Sequence, residues 1–158
     1  MANEQDSTLG YRRIGSGERT VVLIHGWMMT GAVWNRALAH LDTSDTTYVV
    51  VDQRGVGSSA PHRGPFNLYA LADDVWATIQ AAGITQPIVV GHSMGGQVAQ
   101  LVAARHPGEV RGLLLLNSVP ASGLPLPDDA LALFASAVDD PEKRGVILDL
   151  ATLALTPD

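Results

Sequence analysis

The chain has 158 residues and a net charge of -6, with ten Lys and Arg against sixteen Asp and Glu, and it contains no cysteine. That length can bury the core of one domain, and the acidic balance without a basic run argues against a nucleic-acid partner. The missing cysteines exclude a disulfide framework and a thiolate metal site, and the opening MANEQDST and the short longest apolar run, Leu113 to Leu116, suit neither a signal peptide nor a membrane span, so a soluble cytoplasmic protein is expected.

After the polar start, Leu9 to Ile14 is expected as an edge strand that pairs as a hairpin with the next segment, Gly15-Ser16-Gly17 supplying the turn. Thr20 to Ile24 is β-branched and aliphatic without alternation, as in a strand buried on both faces. A loop, His25 to Gly31, leads into a helix expected to bury Val33, Trp34, Ala37, Leu38 and Leu41 on one face. Thr47 to Val51 is a second buried strand, running into Asp52-Gln53-Arg54-Gly55-Val56-Gly57-Ser58-Ser59. Ala60 to Pro65 lacks periodicity, and Asn67 then caps a helix with Leu68, Leu71, Ala72, Val75, Ile79 and Ala82 inward, ending at Gly83.

The stretch from Pro87 to Pro107 organises the rest. Ile88-Val89-Val90 ends in Gly91-His92-Ser93-Met94-Gly95-Gly96, and a helical pattern with Met94, Val98, Leu101 and Val102 begins at once and is stopped by Pro107. A buried strand that turns straight into a helix through G-x-S-x-G reads as a nucleophile elbow, in which Ser93 is forced into an unfavourable backbone conformation; the plainer alternative is a glycine-rich turn with an incidental serine. Gly91 and Gly95 flank it because a Cβ there would collide where strand and helix cross. Val110 to Leu116 is a further buried strand, closed by Asn117 to Pro120. Strands alternating with amphipathic helices imply an α/β fold, a mostly parallel sheet with helices on both faces, and the loops at His25, Asp52, Ser93 and Asn117 then share the rim at the carboxyl ends of the strands.

From Ala121 the composition shifts. Residues 1–120 are expected to be the core and 121–158 a separate helical region. There a proline-rich turn precedes a short helix with Leu131, Phe134, Ala135 and Val138, and a second with Asp140 as cap, Pro141 in its first turn, and Val146, Ile147, Leu150 and Leu153. That second helix is apolar on more than one face and so expects neighbours on several sides.

Three motifs in order, HGW at 25–27, DQRGVGSS at 52–59 and GHSMGG at 91–96, resemble the α/β-hydrolase superfamily, over about residues 7 to 120. With serine at position 93, the chain is similar to the serine-esterase and cofactor-free haloperoxidase-like branch. The resemblance implies that Ser93 attacks an acyl carbonyl and that the backbone N–H groups of Trp27 and Met94 form the oxyanion hole. It further implies that His25, followed by Gly26, orders its loop, that Asp52 braces a loop, and that residues 121–158 open a cap or lid inserted after the sixth strand. Trp27, Met28 and Met29 then either form a mouth for a small apolar ester-like substrate or pack against that cap.

The superfamily's order of nucleophile, acid and histidine is not completed in this sequence. His106 lies at the far end of the elbow helix, about 15 to 20 Å from Ser93 at 1.5 Å per residue. His92 leaves the turn in another direction and is expected to pack, His40 to be solvated, and His62 is the one histidine able to swing toward the rim. Asn117 stands where some relatives place the acid, Asp73 and Asp74 read as helix-surface charges, and Asp128, Asp129, Asp139, Asp140 and Asp149 as caps or solvated groups.

A complete enzyme of this kind needs roughly 100 further residues. The expectation is therefore the N-terminal portion of a hydrolase, truncated and inactive alone. Leu113 to Leu116 would then be an open edge strand, which self-associates or takes up a complementing C-terminal segment.

The run Gly55 to Ala60 fits a dinucleotide fingerprint formally, but Pro61 and Pro65 deny it the helix it needs. No cofactor and no metal is implied. The expected function is ester or related acyl hydrolysis; the alternatives are a non-catalytic hydrolase-like protein that binds a small ligand, and a lyase or perhydrolase on the same fold.

Overall fold

The computed structural model describes residues 8–137 and 139–151. Val138 and Leu153, expected on the last two helices, lie outside the described residues. The chain divides after Gly123 into two compact units.

The first unit is a five-stranded sheet in the order β1-β3-β2-β4-β5, built from Tyr11–Ile14, Arg19–Ile24, Thr46–Val51, Ile88–His92 and Gly112–Leu116 (β1 to β5). Strands β3, β2, β4 and β5 run parallel, and β1 joins β3 antiparallel. This is the α/β fold with a mostly parallel sheet that the alternating pattern predicted. The hairpin expected between Leu9–Ile14 and the next segment does not form. Strand β2 has both of its edges occupied, by β3 and β4, so the only open edge near β1 is that of β3.

Register explains why the strands read as continuous apolar runs. Val22 stands beside Val49 and Val89 on one face, and Leu23 beside Val50 and Val90 on the other. The first face is covered by α2 (Leu68–Ala81) and α3 (Met94–Arg105), with Val75, Ile79, Val98 and Val102 fully buried against it. The second is covered by Trp34 and Leu38, which sit on a 3-10 turn, Gly31–Trp34, and the one-turn α1, Asn35–Leu38. Because the segment starts as 3-10, it has three residues per turn at first, and the stripe expected from Val33 to Leu41 breaks. Trp34 and Leu38 are buried, whereas Val33 and Leu41 are exposed.

Asn67 caps α2 by accepting from the Ala70 N–H at 3.0 Å. One residue on this helix corrects the sequence reading. Asp73 is a surface charge that pairs with Arg105, but Asp74 is only 3% exposed and holds Arg54 in a two-bond ion pair. It stands three residues after Leu71 and four before Thr78, both buried, so it belongs to the inward stripe.

Strand β5 contrasts with its neighbours. It pairs with β4 along one edge, and Leu113, Leu114, Leu115 and Leu116 are 41, 51, 40 and 39% exposed. In the second unit, α4 (Asp128–Ser136) is followed by α5 (Pro141–Ala151), which is capped by Asp140 accepting from the N–H groups of Glu142 and Lys143. Those bonds hold the Asp140 carboxyl below the usual aspartate value. Among the described residues of that unit only Ala137 and Ile147 are buried apolar side chains, while Leu131, Val146 and Leu150 are exposed.

Candidate active site

The strand order sets the place. After β2 the chain moves to β3 on one side and then returns to β4 on the other, so the loops after β2 and β4 leave adjacent strands in opposite directions. Such a reversal opens a crevice at the carboxyl ends of the strands. Ser93 stands there, between the last residue of β4 and the first of α3, with φ +54° and ψ -123°. That conformation is strained for a residue with a Cβ, at a cost of about 1–3 kcal/mol, and persists only when the surroundings enforce it. The Ser93 side chain makes no capping bond to its own helix.

The two glycines beside it show how tight the junction is. A Cβ on Gly91 would meet the carbonyl oxygen of Gly95 and lie 2.6 Å from the Cα of Gly96. A Cβ on Gly95 would meet the carbonyl of His25 and lie 2.6 Å from that of Ile24. The helix can therefore cross the strand only with bare backbone at both positions. Gly26 lies against the same junction, its hypothetical Cβ 3.1 Å from Ser93 Cβ. Trp27 follows in the same turn and is half-buried, as are Met28 and Met29, with Met28 in the left-handed region at φ +57°. Met94 opens α3, and its half-buried side chain packs on the core between α2, α3 and the sheet. The first N–H groups of α3 have no acceptor within the helix, so the backbone at Met94 presents a donor next to the serine.

His25 is buried and joins the loops after β2 and β3. Its Nε2 accepts from the Gln53 N–H at 2.9 Å, which leaves Nδ1 to donate to the Gly26 carbonyl at 2.8 Å. Burial holds the His25 ring below its ordinary value, against smaller opposing effects of the Gly26 bond and Asp52, so the neutral Nδ1–H tautomer fits both bonds. Gln53 also donates from its side chain to the His25 carbonyl at 2.6 Å. Asp52 accepts from the Gly31 N–H at 2.7 Å and from the N–H and hydroxyl of Ser58 at 2.8 and 2.7 Å. Burial by itself would raise the Asp52 carboxyl; the three bonds outweigh it and hold the group below the usual aspartate value. Next to it Arg54 donates to Asp74 at 2.7 and 2.6 Å, which raises the guanidinium further above its already high value.

The other histidines are dispersed. His106 is the C-cap of α3, at the end opposite Ser93, where its ring stacks on Trp76 at 3.7 Å. His92 points from β4 to the other face, edge-on to Trp34 at 6.4 Å. Its Nδ1, Trp34 Nε1 and Gln53 Oε1 are buried without hydrogen-bond partners among the described residues. His40 is exposed beyond α1, and His62 is half-buried in the turn after Gly57–Ser59. A concavity of about 320 Å³ lined by Tyr11, Arg12 and Asp52 does not reach Ser93. Among the described residues no group of three or more His, Asp or Glu could hold a metal ion, and no helix is long and apolar enough to cross a membrane.

On the far side of Ser93, α3 contributes residues that motif reading passed over. Gln97 donates to the Pro120 carbonyl at 2.9 Å, and Gln100 binds Ser118, Val119 and Ala121. The available signal was two glutamines three residues apart on a helix that is otherwise apolar until Arg105.

Residues 19–144 match the family model described as the α/β hydrolase fold. The chain is 30% identical over 141 residues to the AB hydrolase superfamily protein YisY of Bacillus subtilis, covering 89% of this chain and 52% of that protein. It is 36% identical over 106 residues to a pimeloyl-[acyl-carrier protein] methyl ester esterase of Yersinia enterocolitica, covering 67% and 39%. Among solved structures it superposes on a bromoperoxidase from Bacillus anthracis with a TM-score of 0.74 and 25% identity, over 90% of this chain and 54% of that one. The chain thus spans about half the length, or less, of these three relatives.

Proposed function

Since the chain belongs to the α/β-hydrolase fold family, we propose that Ser93 is the nucleophile of a hydrolase that acts on a carboxylic ester or a related acyl substrate. The observation that carries this is the strained backbone of Ser93, raised between β4 and α3 with its hydroxyl unused by the helix. Several similar proteins are named as esterases, which supports the acyl class.

In this reading the Ser93 oxygen bonds to the acyl carbon while its proton passes to a base. The carbonyl oxygen takes on negative charge beside the backbone N–H groups of Met94 and Trp27, and loss of the alcohol leaves an acyl-enzyme that water then cleaves. His25 and Gly26 hold the loop that carries Trp27, and Gly91 and Gly95 permit the junction. In this reading the region that begins at Ala121 belongs to a cap, and the substrate is a small apolar ester.

Three of the five histidines of this sequence are unavailable as that base. His25 uses both ring nitrogens in hydrogen bonds, His106 sits at the wrong end of α3, and His92 faces Trp34. Without a general base, a serine nucleophile loses several powers of ten in rate. The test is prolonged exposure to a fluorophosphonate, with the modified residue located by mass, beside turnover of an aryl acetate. Slow modification at Ser93, absent in Ser93→Ala, with turnover no faster than in that variant, is expected. Modification elsewhere in the chain sinks the nucleophile assignment, and rapid turnover lost in Ser93→Ala would show a base within these residues, with His62 the first to examine.

A further inference from the structure

The strain at Ser93 has to be enforced by something, and the enforcing groups can be named. Its N–H donates to the Leu116 carbonyl at 3.1 Å, and its own carbonyl accepts from the Val119 N–H at 3.3 Å and from the Gly96 N–H at 2.9 Å. One of these three bonds comes from the last residue of β5 and another from the segment that follows it. Asn117, between the two contact points, has φ +43°, and this left-handed kink lets Leu116 and Val119 both turn toward Ser93. The segment 117–121 is therefore a strap across the base of the elbow.

Strand pairing holds the strap only as far as Leu116. Beyond that point it is held by α3. The Gln100 amide nitrogen lies 3.0 Å from each of the Gly96 carbonyl, the Ser118 hydroxyl oxygen and the Val119 carbonyl; with two protons it can serve two of them at a time. Its carbonyl oxygen accepts from the Ala121 N–H at 3.2 Å, and Ser118 donates onward to the Val119 carbonyl at 2.8 Å. Gln97 adds one bond, to the Pro120 carbonyl. One side chain thus links the first turn of α3, through Gly96, to Ser118, Val119 and Ala121 of the strap.

We propose that Gln100 is a positioning residue for Ser93: by clamping strap 117–121 it keeps the Val119 N–H and the Leu116 carbonyl on the serine's backbone, and so holds the hydroxyl at the N-terminus of α3. This rests on Ser93 being the nucleophile. Gln100 does not touch a substrate; it acts through the strap. Both ends of the amide are needed, since its donor face meets carbonyls and its acceptor meets an N–H. A leucine of similar size removes all of these bonds, and a glutamate turns a carboxylate toward the carbonyls of Gly96 and Val119.

The test exploits the absence of any other thiol. Ser93→Cys places a single cysteine in the chain, and its alkylation rate against pH reports the thiol pKa, which an intact helix N-terminus holds below the ordinary value near 8.5. Amide hydrogen exchange is followed in parallel. In Ser93→Cys with Gln100→Leu, the alkylation profile is expected to move up in pH toward the ordinary thiol. Exchange at residue 93, Val119 and Ala121 should accelerate tenfold or more, with amides in β2 and β3 unchanged. Gln100→Glu should behave like Gln100→Leu. Where Ser93→Cys alone shows a lowered thiol pKa, an alkylation profile unchanged by Gln100→Leu overturns the proposal, as does exchange that rises equally across the whole sheet. The failure of its premise looks different: an ordinary thiol pKa in Ser93→Cys alone, together with selective loosening of the strap in Gln100→Leu, would remove the nucleophile and leave the clamp.

Discussion

Ser93 is held from two sides, and the two are built differently. Toward β3, the loops are tied by charged and buried groups: Asp52 with its three donors, neutral His25 between Gln53 and Gly26, and the Arg54–Asp74 pair. Toward β5, the holding groups are neutral amides of α3, Gln97 and Gln100, which grip a strap leaving a strand that has one edge unpaired among the described residues and four leucines 39 to 51% exposed. The first side is closed, and removing one partner there strands a buried charge. The second tolerates local loss, and its outer edge offers unpaired backbone to a further strand.

The sharpest way to break this comparison is at Asp74. Asp74→Ala leaves the largely buried Arg54 guanidinium without its partner and is expected to cost about 3–5 kcal/mol in chemical denaturation. Asp73→Ala, one residue away on the exposed side, is expected to cost no more than about 1 kcal/mol. Equal losses for the two would refute the contrast between a closed and a solvated charge.

On the open side, the chain is expected to sediment as a dimer or larger species at micromolar concentration. Leu114→Lys combined with Leu115→Lys, one charge on each face of β5, should return it to monomer with little change in melting temperature. A wild-type chain that is monodisperse and monomeric would show that the exposed edge is not adhesive.

The closed side should also carry the pH dependence. Burial lowers His25 from 6.5, so as pH falls below 6.5 the unfolded chain takes up a proton that the folded chain refuses. Stability contributed by the neutral ring is complete above that pH and is lost on descending to the folded value. Asp52, lowered from 3.8, adds a second loss of the same sign at lower pH, as its carboxylate is protonated. Melting temperatures from pH 8 to 5 should decline, and His25→Asn should flatten the upper part of that decline. A profile identical in both would assign the effect to another group.

The smallest expected effect lies at the meeting point of the two sides. Ser93→Gly removes the Cβ that makes φ +54° costly and should raise stability by about 1 kcal/mol. A loss of that size instead would mean the serine side chain contributes packing that outweighs the strain.

Much of the core was legible in the sequence because it depends on neighbours along the chain. Valine-rich runs without alternation specify strands buried on both faces, the 3.6-residue stripe of α2 specifies its inward side, and G-x-S-x-G between a strand and a helix specifies the elbow. Ser93, Gly91 and Gly95 were reached in this way, whereas the loop-ordering role of His25 and the bracing role of Asp52 came from the resemblance of their motifs to the α/β-hydrolase superfamily. Where local geometry changed period, the reading slipped, as in the 3-10 start of the segment from Gly31 to Leu38.

By itself, then, the sequence determined the order of strands and helices along the chain, the rim they share, and the strained serine on it, since backbone hydrogen bonding and periodicity act over a few residues. The tertiary structure decided what each group meets across the chain. Strand β1 went to β3 because β2 had no edge left; Asp74 became a buried partner because Arg54 arrived from another loop; and Gln100 became a clamp because the strap after β5 passes its amide. Such pairings depend on which edges, charges and carbonyls remain unsatisfied once the sheet is assembled, and no local window of residues contains that information.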